Sequence, residues 1–140
     1  MMLSIFFVAG DPGTCQAAAE APPLIKFSKK EWTDRLAPEF PAFPVYPGAL
    51  LVRSYEKTEE ARVGHEALWE TTDSVSQVMA WYLEQLPAQG WTIEQRPEDL
   101  SASEQFLVTR KGSHKAHVIL DSENQKTEIS VEFPLGGGKP

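Results

Sequence analysis

Four prolines repeat every three residues between Pro38 and Pro47, and an aromatic residue directly precedes each of the last three. Proline fixes φ near the polyproline II value, pushes the preceding residue the same way, and that helix has three residues per turn. We therefore expect the prolines along one edge and Phe40, Phe43 and Tyr46 along another. A stiff aromatic segment of this kind either packs on its own domain or is taken up by a partner, and the spacing leaves both open.

Length and charge restrict the protein class. The chain has 140 residues, 41% of them hydrophobic and 10% aromatic, which indicates one globular domain with a hydrophobic core. The net charge of −7 argues against nucleic-acid binding, which needs clustered Lys and Arg. Residues 48–134 hold 15 acidic and 8 basic residues, whereas residues 24–36 hold four basic and two acidic ones. These opposite signs favour folding of the N-terminal arm onto the body.

The N-terminal residues have features of an export signal. A short apolar run, too short to span a bilayer, is followed by the small residues Ala17–Ala19, which favours a signal peptide over residues 1–19. No Lys or Arg precedes Lys26, so a plain N-terminal tail is the alternative. Cys15 is the only cysteine and could anchor a lipid, but Pro12-Gly13-Thr14 before it does not match a bacterial lipobox. We expect a periplasmic or secreted protein without a membrane span.

Residues 20–47 form the predicted arm. Ser28 and Glu31 have the S-x-x-E spacing of a capping box, which predicts a short helix over residues 29–36 ahead of the proline ladder at residues 38–47. So short a helix has little stability of its own, and we therefore expect its apolar residues Phe27, Trp32 and Leu36 to dock on another surface. We therefore predict that Phe27 to Pro47 is a single segment held against the domain.

Residues 48–134 have the pattern of strands around one amphipathic helix. Ser74 and Gln77 repeat the capping-box spacing, and an apolar stripe predicts a helix from Val75 to Leu86. Alternating segments predict strands near residues 50–55, 63–70, 91–95, 106–110, 116–121 and 128–133. Antiparallel hairpins with one solvent-exposed face, together with a single helix, predict an α+β domain of order β-β-α-β-β-β-β, with the helix packed on an antiparallel sheet. Residues 135–140 are predicted to be a flexible tail.

Short motifs in the body resemble a known type of domain. Val45-Tyr46-Pro47-Gly48-Ala49 enters the first strand, Thr71-Thr72-Asp73-Ser74 caps the helix, Trp81-Tyr82 lies within it, and Leu86 to Gly90-Trp91 leaves it. This YPGA…TTDS…WY…L…GW pattern resembles a small bacterial domain of unknown function found in exported proteins and lipoproteins. The resemblance spans Val45 to Phe133. It implies an envelope or extracellular location and supplies no catalytic residue.

The three histidines do not form a recognisable site in the sequence. His114 and His117 are an odd number of residues apart, so they point to opposite faces of one strand. A site that joins His65, His117 and a carboxylate requires neighbouring strands, and the dense spacing of a zinc site is absent. The sequence also contains no G-x-S-x-G elbow and no Gly-rich phosphate loop before a helix. We predict no catalytic residue, no cofactor and no metal, and the balance favours a protein that is not an enzyme.

Large aromatic side chains are the better functional candidates, because they bury much area at low entropic cost. The candidate partner-binding residues are Trp32, Phe40, Phe43, Tyr46 and Trp81. The first hypothesis is a non-enzymatic envelope module that binds a protein partner or serves as an accessory structural subunit. The alternative is a small-ligand or glycan binder that uses Trp81 or Trp91 as a stacking platform. In either case the same rings could instead complete the core.

Overall fold

The computed structural model describes residues 27–135, which form one antiparallel sheet and one helix. The strands are β1 (Phe27–Trp32), β2 (Leu50–Glu59), β3 (Arg62–Thr71), β4 (Thr92–Gln95), β5 (Glu104–Lys111), β6 (His114–Glu123) and β7 (Lys126–Phe133), and helix α1 (Val75–Ala88) lies between β3 and β4. Their order across the sheet is β1-β2-β3-β7-β6-β5-β4. The structure confirms the predicted α+β class and adds one strand at the N-terminal side.

Several predictions concern residues outside this range. The signal peptide over residues 1–19, the candidate lipid anchor Cys15 and all of the predicted tail except Leu135 lie there. Within residues 27–135, no helix is long and apolar enough to cross a membrane.

Helix α1 begins and packs as its local pattern predicts. The Gln77 backbone N–H donates to Ser74 Oγ (3.1 Å) and the Ser74 backbone N–H donates to Gln77 Oε1 (3.2 Å), which completes the capping box. The buried stripe comprises Val75, Val78, Met79, Tyr82 and Leu86. This stripe packs α1 against β4, β5 and β6. The helix continues past the predicted end, through Pro87 to Ala88.

The core lies between α1 and one face of the sheet. Successive strand residues point to opposite faces, so every second residue of the central strands is buried. The buried members are Ala67 and Trp69 of β3, Leu107 of β5, Ala116, Val118 and Leu120 of β6, and Ile129, Val131 and Phe133 of β7. The other face carries half-buried polar residues such as Glu66, Glu128 and Glu132, and nothing in residues 27–135 forms a layer over it.

The predicted helix over residues 29–36 is wrong. Phe27–Trp32 instead forms β1, an edge strand that pairs antiparallel with β2. A helix this short pays for nucleation without enough bonds to offset it, whereas pairing gives the segment ladder hydrogen bonds to β2. Pairing also places Lys29 Nζ 4.1 Å from the ring centroid of Tyr55, a cation–π contact. Non-local pairing therefore overrides the local capping-box signal.

Residues 33–49, called the strap below, connect β1 to β2 through two tight turns. In the first, the Phe40 N–H donates to the Ala37 carbonyl (3.1 Å), and Glu39 has a φ of 63°. The second spans Tyr46–Ala49, with glycine at its third position (φ 83°). Each turn has proline at its second position and a positive φ at its third, as in type II turns. The three-residue repeat of the prolines is thus broken at both ends.

Candidate functional site

The strap covers the part of the helix-facing sheet that α1 leaves free. The ring of Phe40 lies edge-on to Phe133 (5.5 Å between centroids) and to Trp69 (6.4 Å). Phe43 lies edge-on to Trp91 (4.9 Å) and to Phe133 (5.8 Å). Edge-to-face pairs at these separations are favourable aromatic contacts. The cleft between α1 and the sheet is therefore filled by side chains of the strap.

The other predicted aromatic residues lie at the rim of the core. Tyr46 and Trp81 meet edge-on at 5.4 Å. The Tyr46 hydroxyl donates to Asp73 Oδ2 (2.6 Å), and this hydrogen bond, with partial burial and the carboxylate charge, raises the pKa of Tyr46. Trp32 is half-buried on β1 opposite Ser54. Like Phe40 and Phe43, these three residues are half-buried, and partner binding through the five stays a prediction.

Trp91 is not available as the stacking platform of the ligand-binding alternative. Its side chain is only 5% exposed, and Phe43 packs against it. Neither Trp91 nor Trp81 lines the two cavities described below. Neither cavity therefore has a tryptophan as a stacking platform.

Strand β7 ends before its two neighbours do. Its last pairs are Phe133 with His65 of β3 and Glu132 with His117 of β6. Pro134 follows, and proline has no N–H with which to continue the ladder. The hairpin turns that precede β3 and β6 lie at this same end, so both strands extend past β7. The result is a notch in the sheet between β3 and β6.

A cavity of about 450 Å³, called the β7 cavity below, occupies this notch. The strap contributes Glu39 and Pro41, β3 contributes Val63 and His65, the β5–β6 hairpin contributes Ser113, His114, Lys115 and His117, and the end of β7 contributes Phe133, Pro134 and Leu135. Small-molecule sites typically measure roughly 300–1,000 Å³ and combine apolar walls with a few polar groups. The β7 cavity has both properties.

A close backbone contact fixes one wall of the β7 cavity. A Cβ atom added to Gly64 would lie 2.8 Å from the Phe133 carbonyl oxygen and 3.0 Å from the Leu135 nitrogen. Both distances are at or below the shortest that real Cβ atoms tolerate against backbone. The chain that leaves β7 therefore lies directly on β3, and only glycine permits this approach at position 64.

The β7 cavity brings all three histidines to one place. A joint site of His65 and His117 would require neighbouring strands, and this condition is not met, because β7 lies between their strands and the two residues lie on opposite faces of the sheet. His65 is 8% exposed and packs edge-on to the Phe40 ring at 5.7 Å. Its Nε2 is buried, lies 3.9 Å from Glu56 Oε2 and has no hydrogen-bond partner in residues 27–135. His114, by contrast, is exposed at the rim.

Within residues 27–135, a group of three possible metal ligands lies on the open face of the sheet. Carboxylate oxygens of Asp121, Glu123 and Glu128 lie within 4.8 Å of one another. Glu128 also lies directly opposite Glu70 and Asp121 on its two neighbouring strands. Burial, followed by the charges of Glu123, Glu70 and Asp121, raises the pKa of Glu128. Directly opposed like charges destabilise a sheet, and this acidic cluster by itself does not identify a metal site.

The β7 cavity differs in charge from a second cavity of about 310 Å³ beside the loop between β4 and β5. The second cavity is lined by one basic residue, Arg96, and by the acidic residues Glu98, Asp99 and Glu104. The β7 cavity is lined by Lys115 and three histidines against the single acidic residue Glu39. In a chain of net charge −7, the β7 cavity is thus locally the more positive of the two.

Sequence reasoning missed the β7 cavity because its walls come from the strap, two hairpins and a strand end. One signal was available. Two hairpins of an antiparallel sheet place the starts of β3 and β6 at the same end, and Pro134 directly follows the last strand. Together these features indicate a ladder that stops early between two longer strands.

Comparison with known proteins identifies a family. A family model described as START domain-like matches residues 51–130, more than half of the chain of 140 residues. No curated protein and no solved structure matches the chain. The matched span runs from β2 into β7 and includes α1.

Proposed function

The chain belongs to the START domain-like family, and from this premise we propose that it binds a small molecule in the β7 cavity. START-like domains are often ligand-binding, which supports this class of function. The observation that carries the proposal is the notch beyond β7, with its cavity of about 450 Å³. This site replaces the cleft beside Trp81 and Trp91, which the strap fills.

The residues that line the β7 cavity combine apolar surface with a few polar groups, as expected of a small-molecule site. Phe133 and Leu135 supply apolar surface at the end of β7, and Val63 supplies more from β3. His114 and Lys115, at the start of β6, supply hydrogen-bond donors to the same cavity. Apolar surface provides affinity, whereas a few polar groups fix the orientation of the ligand. The proposed function is therefore the binding of a small molecule.

The test is a fragment titration followed by amide chemical shifts in NMR spectra of the full chain. Small aromatic and aliphatic fragments are expected to shift amides of residues that line the β7 cavity. Val63→Trp should abolish these shifts, because Val63 lines the cavity and the larger side chain would occupy it. Leu50→Trp is the matched control, because Leu50 is 73% exposed and lies outside the cavity.

The proposal is overturned if no fragment shifts the cavity amides. It is also overturned if Val63→Trp, shown to be folded by its spectrum, binds the fragments as well as Leu50→Trp does. Loss of binding in Val63→Trp alone is the expected result.

A second candidate function is docking of an envelope protein along β1. This strand lies at the edge of the described sheet, where an added strand can pair, and Phe27 is 59% exposed there. Export itself is proposed from residues 1–19 and is tested by N-terminal sequencing of the secreted protein. For docking, Phe27→Asp should remove a protein that co-purifies with the wild type, whereas Leu100→Asp, another exposed apolar position (54%), should retain it. Equal retention by both variants would exclude docking at β1.

A further inference from the structure

We infer that the ligand of the β7 cavity is a compact apolar molecule with one carboxylate. This inference rests on the proposed function, since it names the class of molecule that the same cavity takes. Three observations support it: a rim lysine, Lys115, with no ion pair in residues 27–135, the exposed imidazole of His114 in the same lining, and an apolar wall at the end of β7.

Lys115 is the fixed positive charge of the cavity. It makes no ion pair with a carboxylate of residues 27–135. The pKa of Glu94 is lowered mainly by a hydrogen bond from Arg110 Nε to Glu94 Oε2 (2.8 Å), and the charge of Lys115 adds to this effect. The Glu94 carboxylate is thus paired with Arg110. The Lys115 ammonium is therefore free to meet a ligand carboxylate, and charge-assisted hydrogen bonds are the stronger ones.

The negative net charge of the chain makes the Lys115 ammonium relevant to ligand selection. At −7, the protein repels anions at long range, so an anionic ligand needs a local attraction to be selected. His114, which precedes Lys115 on β6, also lines the cavity and adds an N–H donor. Glu39 opposes them from the strap side, which predicts that removal of its charge strengthens carboxylate binding.

The apolar wall sets the shape of the remainder of the ligand. The ring of Phe133 lies edge-on to His114 at 6.0 Å, so the apolar wall begins directly beside the donors. Leu135 and Val63 add to the apolar lining of the cavity. A volume of about 450 Å³ accommodates one or two rings, or a short chain. The arrangement therefore suits a carboxylate group attached directly to a compact apolar body.

Two matched probes test the inference on the full chain: 2-naphthoate, which carries a carboxylate, and 2-naphthalenemethanol, a neutral molecule of similar size. Dissociation constants are measured for both by NMR titration of the cavity amides. We expect 2-naphthoate to bind about fivefold more tightly at low salt, the effect of one or two partly exposed charge contacts. This preference should shrink at high salt, because the contacts are solvent-accessible.

Charge variants then locate the source of the preference. Lys115→Gln should bring the two probes to similar affinity and leave the binding of 2-naphthalenemethanol unchanged, whereas Glu39→Gln should enlarge the preference. Lys30→Gln is the control, because Lys30 is exposed on β1 outside the cavity.

The outcomes separate the inference from the proposed function. Equal binding of both probes by the wild type, with loss of both in Val63→Trp, would overturn the inference and leave the cavity as a binding site. A preference that Lys115→Gln and Lys30→Gln lose equally would also overturn the inference. Failure of every fragment and of both probes to shift cavity amides would overturn the proposed function.

Discussion

Phe43→Ala should unfold the protein at a markedly lower temperature, because the strap is part of the core. The ring centroid of Phe43 lies 4.9 Å from that of Trp91, 5.8 Å from that of Phe133 and 6.0 Å from that of Tyr82. Truncation of a fully buried Phe costs about 3–5 kcal/mol. Phe43 is half-buried, so part of that cost is absent, and we expect a loss of about 2–3 kcal/mol. At roughly 4 °C per kcal/mol for a domain of this size, Tm should fall by about 10 °C.

The assay is thermal unfolding followed by circular dichroism, with urea unfolding as a second measurement of the free energy. Phe27→Ala is the matched control, because Phe27 is 59% exposed on an edge strand and its truncation should stay within about 0.5 kcal/mol. If Phe43→Ala lowers Tm no more than Phe27→Ala does, the strap does not contribute to the fold. The aromatic residues of the strap would then be better explained as a surface for a partner.

Three further changes probe other parts of the fold. Tyr82→Phe removes the buried hydroxyl that donates to the Pro44 carbonyl (3.1 Å) and should lower the free energy of unfolding by about 1 kcal/mol in urea titrations. Glu128→Gln should stabilise the domain by about 0.5–1 kcal/mol at pH 7. Burial and nearby acidic residues raise the folded-state pKa of Glu128, so ionised Glu128 destabilises the fold fully above that pKa and not at all below the ordinary value of 4.5. The stabilisation by Glu128→Gln should therefore vanish near pH 4. The control Glu98→Gln, in an exposed loop, should give no stabilisation at either pH. Gly64→Ala should cost about 1–3 kcal/mol by overpacking against the chain after β7, and an unchanged Tm would contradict the close contact there.

Local signals predicted the elements whose stability is local. The capping box at Ser74 and the apolar stripe of α1 act within one segment, so the helix follows from its own residues. Strand alternation identified the core faces of β6 and β7 for the same reason. β1 could not be predicted this way, because its pairing with β2 outweighs a helical signal at Ser28 and Glu31. The β7 cavity depends on where strands end relative to one another, which no single segment encodes.

The division of the helix-facing sheet between α1 and the strap has a consequence for how a ligand enters. The strap fills the interior cleft, whereas the β7 cavity lies beside Phe40 and opens at the end of the sheet. A ligand can therefore enter the β7 cavity without displacing the strap. Binding should therefore slow hydrogen exchange of the Phe40 amide, which donates to the Ala37 carbonyl (3.1 Å), since Glu39 and Pro41 form part of the cavity wall. Entry through an opened strap predicts the opposite, faster exchange at Phe40. Hydrogen-exchange NMR with saturating 2-naphthoate distinguishes the two routes, and faster exchange would show that the ligand competes with the strap for the core.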